Sequence, residues 1–180
     1  MTRYIFTYGL ISGLVIILGF IGTIVASGGG PPHSDVWLGY LIMLIALSSI
    51  LVGVKRYRDR ELGGVIRFAP ALGLGLAIAV VAGLAYVAVW EVYLALTHYS
   101  FMEVYVAQTL AAKRAAGVTG EAYQQIAAQL ETMRIQYANP LYRLPMTFAE
   151  IFPVGLVIAL ISAALVRNPK FLPARSRPVG

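Results

Sequence analysis

Apolar residues gather in four long runs, separated by stretches in which charge, glycine and proline return. The first covers about residues 4–26 and stops at "SGGGPP", a cluster that cannot continue a helix. The second covers about residues 36–54 and gives way to "KRYRDRELGG". The third covers about 68–96, and the fourth, about 146–166, precedes the basic tail 167–180, "RNPKFLPARSRPVG". A hydrocarbon layer takes about 20 helical residues to cross, so each run predicts one spanning helix. The third run is longer than that, and tilt or outward projection accommodates the excess.

Between the third and fourth runs the pattern changes. Residues 100–116 have helix-forming composition and end at Gly117, which suits a C-terminal cap. Thr119 then stands as the N-cap of a second helix, in which Ile126, Leu130, Met133 and Tyr137 recur at helical spacing until Asn139-Pro140 stops it. The pair predicts a helical hairpin over about 100–138. Its apolar stripe must be covered by the partner helix, by the span ends, by lipid headgroups or by another protein.

Composition strengthens the membrane reading. Of 180 residues, 59% are hydrophobic and 12% charged, about half the charged share of soluble domains. The expected fold is all-α: an integral membrane four-helix bundle with an extracytoplasmic helical hairpin between spans three and four, in a single domain over 1–180. The first apolar stretch exceeds the length of a signal-peptide core, so it is expected to stay as a span. With no cysteine, disulfides, thiolate metal sites and thiol catalysis are excluded.

The net charge of +6 concerns topology. Arg3, Lys55, Arg56, Arg58, Arg60, Arg67, Arg167, Lys170, Arg175 and Arg177 fall on one side of the predicted spans. Lys113, Arg114, Arg134 and Arg143 fall on the other, spread over a longer segment. Both termini are therefore expected in the cytoplasm, with the hairpin outside. Clustering at helix exits suits headgroups and membrane insertion, and no nucleic-acid partner is expected.

Two acids lie within the runs. Glu91 sits roughly 9 Å inside a helix end near Thr97, and Glu150 roughly 6 Å inside a start near Met146. Antiparallel spans would put both near the outer interface, where the carboxylates can face each other. An ionised carboxylate in hydrocarbon costs several kcal/mol, so both acids are expected to face the bundle interior, a partner or water. One reading makes them a proton or cation site, because two close carboxylates cannot both ionise freely. The other makes them interhelical bonds to Arg143, His98, Tyr93, Tyr86 or Trp90. A metal held by Glu91, Glu150, His98, His33 and Asp35 lacks diagnostic spacing; no metal and no cofactor are expected.

Small residues recur at four-residue spacing: Gly9 and Gly13 in the first span, Gly75, Ala79 and Gly83 in the third, Gly155, Ala159 and Ala163 in the fourth. Close helix packing is their expected use, with a homodimer interface as the alternative. Pro153, three residues after Glu150, removes an amide donor and is expected to kink the fourth span. In the loop "KRYRDRELGGVIRF", Gly63-Gly64 reads as a turn or as the flexible point of a docking or gating loop.

"YGLISGL", "YRDRELGGVIRF", "VWEVY", "YANP" and "TFAEIFPVGLVIALISAAL", in that order, resemble the bacterial membrane family catalogued as domain of unknown function 4199. The resemblance covers nearly the whole chain, apart from "SGGGPPHSD" and the proline-rich tail. It implies a four-span α-helical bacterial inner-membrane protein and brings no enzyme, substrate or cofactor.

There is no P-loop, H-E-x-x-H or G-x-S-x-G, and the G-x-G of "ALGLGLA" lies in a span with no preceding strand. An enzyme is therefore not the leading expectation. Three functions remain. The first is an accessory or structural component that binds another membrane protein or lipid, as a homodimer or within a larger complex. The second is a small oligomeric proton- or cation-coupled transporter using the paired glutamates. The third is a carboxylate-based membrane enzyme.

Overall fold

The computed structural model describes residues 1–26 and 36–173, and these form seven helices with no strand among the described residues. In chain order they are α1 (Thr2–Ala26), α2 (Val36–Leu47), α3 (Ser49–Glu61), α4 (Phe68–Leu96), α5 (Phe101–Ala115), α6 (Gly120–Ala138) and α7 (Pro140–Val166). Four stretches are long and apolar enough to cross a membrane: Thr2–Thr23, Trp37–Glu61, Phe68–Leu96 and Pro140–Val166. The second joins α2 to α3 through Ser48, which keeps helical angles. Its hydroxyl donates to the Ile45 carbonyl oxygen at 2.6 Å, a local bond that competes with the helical ladder and marks the seam.

Two boundaries differ from the sequence expectation. The second span continues past residue 54 to Glu61, so "KRYRDRE" forms its last two turns. The fourth begins at Pro140, not near 146, because proline at the first helical position gives up no bond and the Asn139 side chain accepts from the Leu141 amide at 3.0 Å. Glu150 therefore lies about 15 Å inside its helix. Pro153 sits within the uninterrupted helix α7.

The long helices form a ring in which α4 touches α1 and α7, while α2–α3 closes the other side against α1 and α7. Leu47, Ile50, Val54, Leu74, Ile78, Ile151 and Val166 fill the centre. In lipid, apolar burial does little to bring helices together, so closeness of packing decides the arrangement. A Cβ on Gly75 would lie 3.0 Å from the Ala159 Cβ, and one on Gly155 2.9 Å from the Ala79 Cβ. These are two reciprocal rungs on the α4–α7 seam, and Gly83 fits against Phe148 on the same seam. Across α4, a Cβ on Gly9 would meet Val81 at 2.5 Å and one on Gly13 would meet Ala85 at 2.6 Å. Ala163 is buried one turn past Ala159. All eight small residues thus lie within this chain's own seams and core. Ser12 donates to the Ala46 carbonyl oxygen at 3.0 Å and Ser49 to that of Tyr8 at 3.1 Å, fastening α1 to α2–α3.

At the far end α4 stops in a turn closed by Tyr99 N–H on the Leu94 carbonyl oxygen at 2.7 Å and His98 N–H on that of Ala95 at 3.2 Å. This closure needs a left-handed residue, usually glycine, yet His98 (φ 52°) and Tyr99 (φ 57°) occupy it. Gly117 (φ 81°) ends α5 in the same way at no such cost. Helix α5 touches α6, and α6 touches α7. Of the apolar stripe read on α6, Leu130 and Tyr137 are buried, Ile126 is half-buried and Met133 is exposed. Leu94, Met102 and Tyr137 make a second small core there.

Candidate functional site

Arg143 lies in the first turns of α7, and its guanidinium bridges three helices. Its Nε donates to Glu91 Oε1 at 2.6 Å and its Nη2 to Oε2 at 2.8 Å, a two-point grip on a carboxylate of α4. Its Nη1 donates to the carbonyl oxygens of Tyr137 at 2.9 Å and Ala138 at 3.4 Å, the last of α6. A cation at a helix C-terminus satisfies orphan carbonyls and meets the negative end of the dipole. The rings of Tyr99 and Tyr137 lie 5.2 and 5.7 Å from the guanidinium centre. The side chain is only 4% exposed, against 26% for Glu91. Ion pair, helix cap and two rings account for its burial.

Trp90, one residue before Glu91, donates its indole N–H to the Tyr137 hydroxyl at 2.6 Å. Burial holds that phenol above its ordinary value. Phe20 packs edge-on against Trp90 and Tyr93, and Phe101 against Trp90, with centroids 4.9–5.3 Å apart. Aromatics at this level are typical of the water–hydrocarbon boundary.

The other acid stands apart. Glu150 is exposed on α7, where its Oε2 accepts from the Tyr86 hydroxyl at 3.5 Å, a weak contact. It lies seven residues, about 10 Å, beyond Arg143 along the helix. The two carboxylates are thus bonded to different partners at different depths. Glu91, Arg143, Trp90 and Tyr93 come together in one assembly. His98 lies beside it in a cleft of about 410 Å³ between Tyr99, Met102, Arg134 and Arg143. Arg134 is held by Glu131 at 2.6 and 2.8 Å, which keeps that exposed carboxyl below its usual value. His33 and Asp35 lie outside the described residues. No group of three His, Asp or Glu side chains able to hold a metal is found among the described residues.

A second buried arginine was missed by reading the sequence. Arg58 is fully buried at the opposite end of the bundle, where Nη1 donates to the carbonyl oxygens of Val166 at 3.2 Å and Phe171 at 3.0 Å. Its Nη2 donates to that of Leu172 at 2.6 Å and its Nε to Asp59 Oδ1 at 2.7 Å. It caps α7 and folds the following residues back onto α3. One signal was available: Arg58 continues the four-residue series Ile50, Val54 on the buried face of α3.

A family model described as "Protein of unknown function (DUF4199)" matches residues 7–168. No curated protein and no solved structure matches the chain.

Proposed function

The chain belongs to the DUF4199 family, whose function is unknown, and from its geometry we propose that it is an accessory or structural component of a bacterial inner membrane that binds another membrane protein or lipid. The observation that carries this reading is the Glu91–Arg143 grip: the most buried charges at that end fix α6 onto α4 and α7. That use of charge stiffens a platform and leaves no exchangeable site at Glu91. In this reading both termini are cytoplasmic, as the uneven distribution of Lys and Arg supports, and α5–α6 projects outside as the docking element.

A second reading has one observation in its favour. Glu150 is exposed deep within a spanning helix and accepts a weak bond from the Tyr86 hydroxyl, which suits a proton- or cation-exchanging carboxyl in an oligomeric carrier.

Proton flux in proteoliposomes, together with native mass spectrometry of protein extracted from its own membranes, separates the two for the natural chain and Glu150→Gln. The accessory reading expects a companion protein retained by both forms and flux no greater than in empty vesicles. Flux abolished by the substitution, with no companion, transfers the conclusion to the carrier.

A further inference from the structure

Five of the basic residues at the cytoplasm-assigned end of the bundle divide into two sets. Lys55 and Arg58 both bond Asp59. Arg3, Arg56 and Arg60 form no ion pair with any acidic side chain among the described residues. These three instead line one cleft of about 370 Å³ between the start of α1 and the end of α3. Arg56 donates a single hydrogen bond, from Nη1 to the Tyr8 hydroxyl at 3.0 Å, so most of its fork stays open. Thr7 adds a hydroxyl to the wall. The only acid in the lining, Glu61, accepts from the Tyr4 hydroxyl at 2.8 Å. Three guanidiniums against one carboxylate leave a cleft with two uncompensated positive charges.

We propose that this cleft binds the phosphodiester of an anionic phospholipid headgroup. The guanidinium fork matches phosphate oxygens at two points, and three of them line this one cleft. The occupant is identified by what lies one turn deeper. Ile11, four residues beyond Thr7 on α1, is 42% exposed, and Val52, four residues before Arg56 on α3, is 43% exposed. Apolar surface continues from the polar cleft along both helices, the path an acyl chain takes when its phosphate sits at the helix ends. A choline or ethanolamine headgroup would bring an ammonium beside three guanidiniums, so an anionic headgroup is preferred. This inference deepens the lipid branch of the accessory reading and rests on it.

The test is native mass spectrometry of the full chain in detergent, titrated with phosphatidylglycerol or with phosphatidylcholine of the same acyl chains, with and without millimolar inorganic phosphate. Phosphatidylglycerol is expected to be retained preferentially. Arg56→Gln/Arg60→Gln should lower that preference about fivefold per guanidinium removed, while Arg67→Gln, a charge change at the same end outside the cleft, should leave it intact. Arg3→Gln breaks no side-chain hydrogen bond described within the chain and supplies the same readout if the double variant does not fold. Equal retention of the two lipids, or an equal loss on Arg67→Gln, overturns the site in favour of diffuse attraction. Displacement of the lipid by inorganic phosphate overturns the lipid assignment in favour of a soluble phosphate. A companion protein in the same spectra is scored separately, so loss of lipid preference and loss of the partner are distinguishable.

Discussion

Arg58 and Leu172 stand 114 positions apart in the chain, yet the guanidinium of one donates to the carbonyl oxygen of the other at 2.6 Å. The bond belongs to a set on Val166, Phe171 and Leu172 that closes the end of α7. Asp59 supplies the compensating charge. Removing the guanidinium strands several carbonyls at once and leaves Asp59 with Lys55 alone.

Arg58→Met is accordingly expected to cost about 3–5 kcal/mol, the usual penalty for breaking a buried charge pair. Arg58→Lys keeps the charge but loses the fork, and should fall between. Thermal unfolding in detergent reads the stability. Limited proteolysis should show early cleavage after Val166 in both variants.

The Glu91–Arg143 grip predicts strong coupling. Glu91→Gln and Arg143→Gln should each destabilise by about 2–4 kcal/mol, and the double variant by less than their sum, with a coupling energy of at least about 1.5 kcal/mol. A double-mutant cycle on unfolding free energies measures it. Additive losses would show that the two side chains act separately.

Much of the fold is legible in the sequence, for a physical reason. Hydrocarbon tolerates no unpaired backbone, so each span must be an apolar helix of about 20 residues, and the four runs read directly. Gly117 reads as a helix stop because a left-handed turn favours glycine. His98 and Tyr99 do not, since nothing in their residue types announces positive φ. The charged residues were the hardest to place. Arg58 and Arg143 differ little in sequence from a solvated cation, because much of their hydrogen bonding is to backbone carbonyls, for Arg58 more than 100 positions away. The expected contact between Glu91 and Glu150 rested on a helix start near Met146; with α7 beginning at Pro140, Arg143 enters the helix and takes Glu91.

Glycine substitutions should separate seam from surface. Gly155→Ala places a methyl 2.9 Å from the Ala79 Cβ, with no flexible group to yield, and is expected to lose about 1–3 kcal/mol. Gly73→Ala meets nothing within 4 Å and should gain about 0.5–1 kcal/mol from helix propensity alone. Opposite signs in chemical unfolding are the expected result.

Tyr137 predicts an alkaline limit. Its phenol is held above the ordinary value by burial, so in the folded state it keeps its proton where the unfolded chain has lost one. Its contribution is constant below about pH 10 and stability falls as pH rises above that, because there the unfolded state binds fewer protons. Tyr137→Phe should lessen the alkaline loss by this residue's share. Unfolding midpoints between pH 8 and 11 for both forms provide the check.

The alternation of glycine and alanine along α4 and α7 carries a mechanical consequence. Sliding α7 along α4 by four residues, about 6 Å, would set Gly155 against Gly75 and Ala159 against Ala71 in one direction. In the other direction Gly155 would meet Gly83 and Ala159 would meet Ala79. Small residues face small residues in all three positions, but Phe148, seated against Gly83, would meet Ala79 or Val87 after either slide, so the seam has one deep stop. Arg143 deepens that stop: a slide of one turn would bring Asn139 or Thr147 opposite Glu91 and leave the carboxylate without its cation. Ring and ion pair act as two pins through one hinge plate, and together they hold the two helices at a single register.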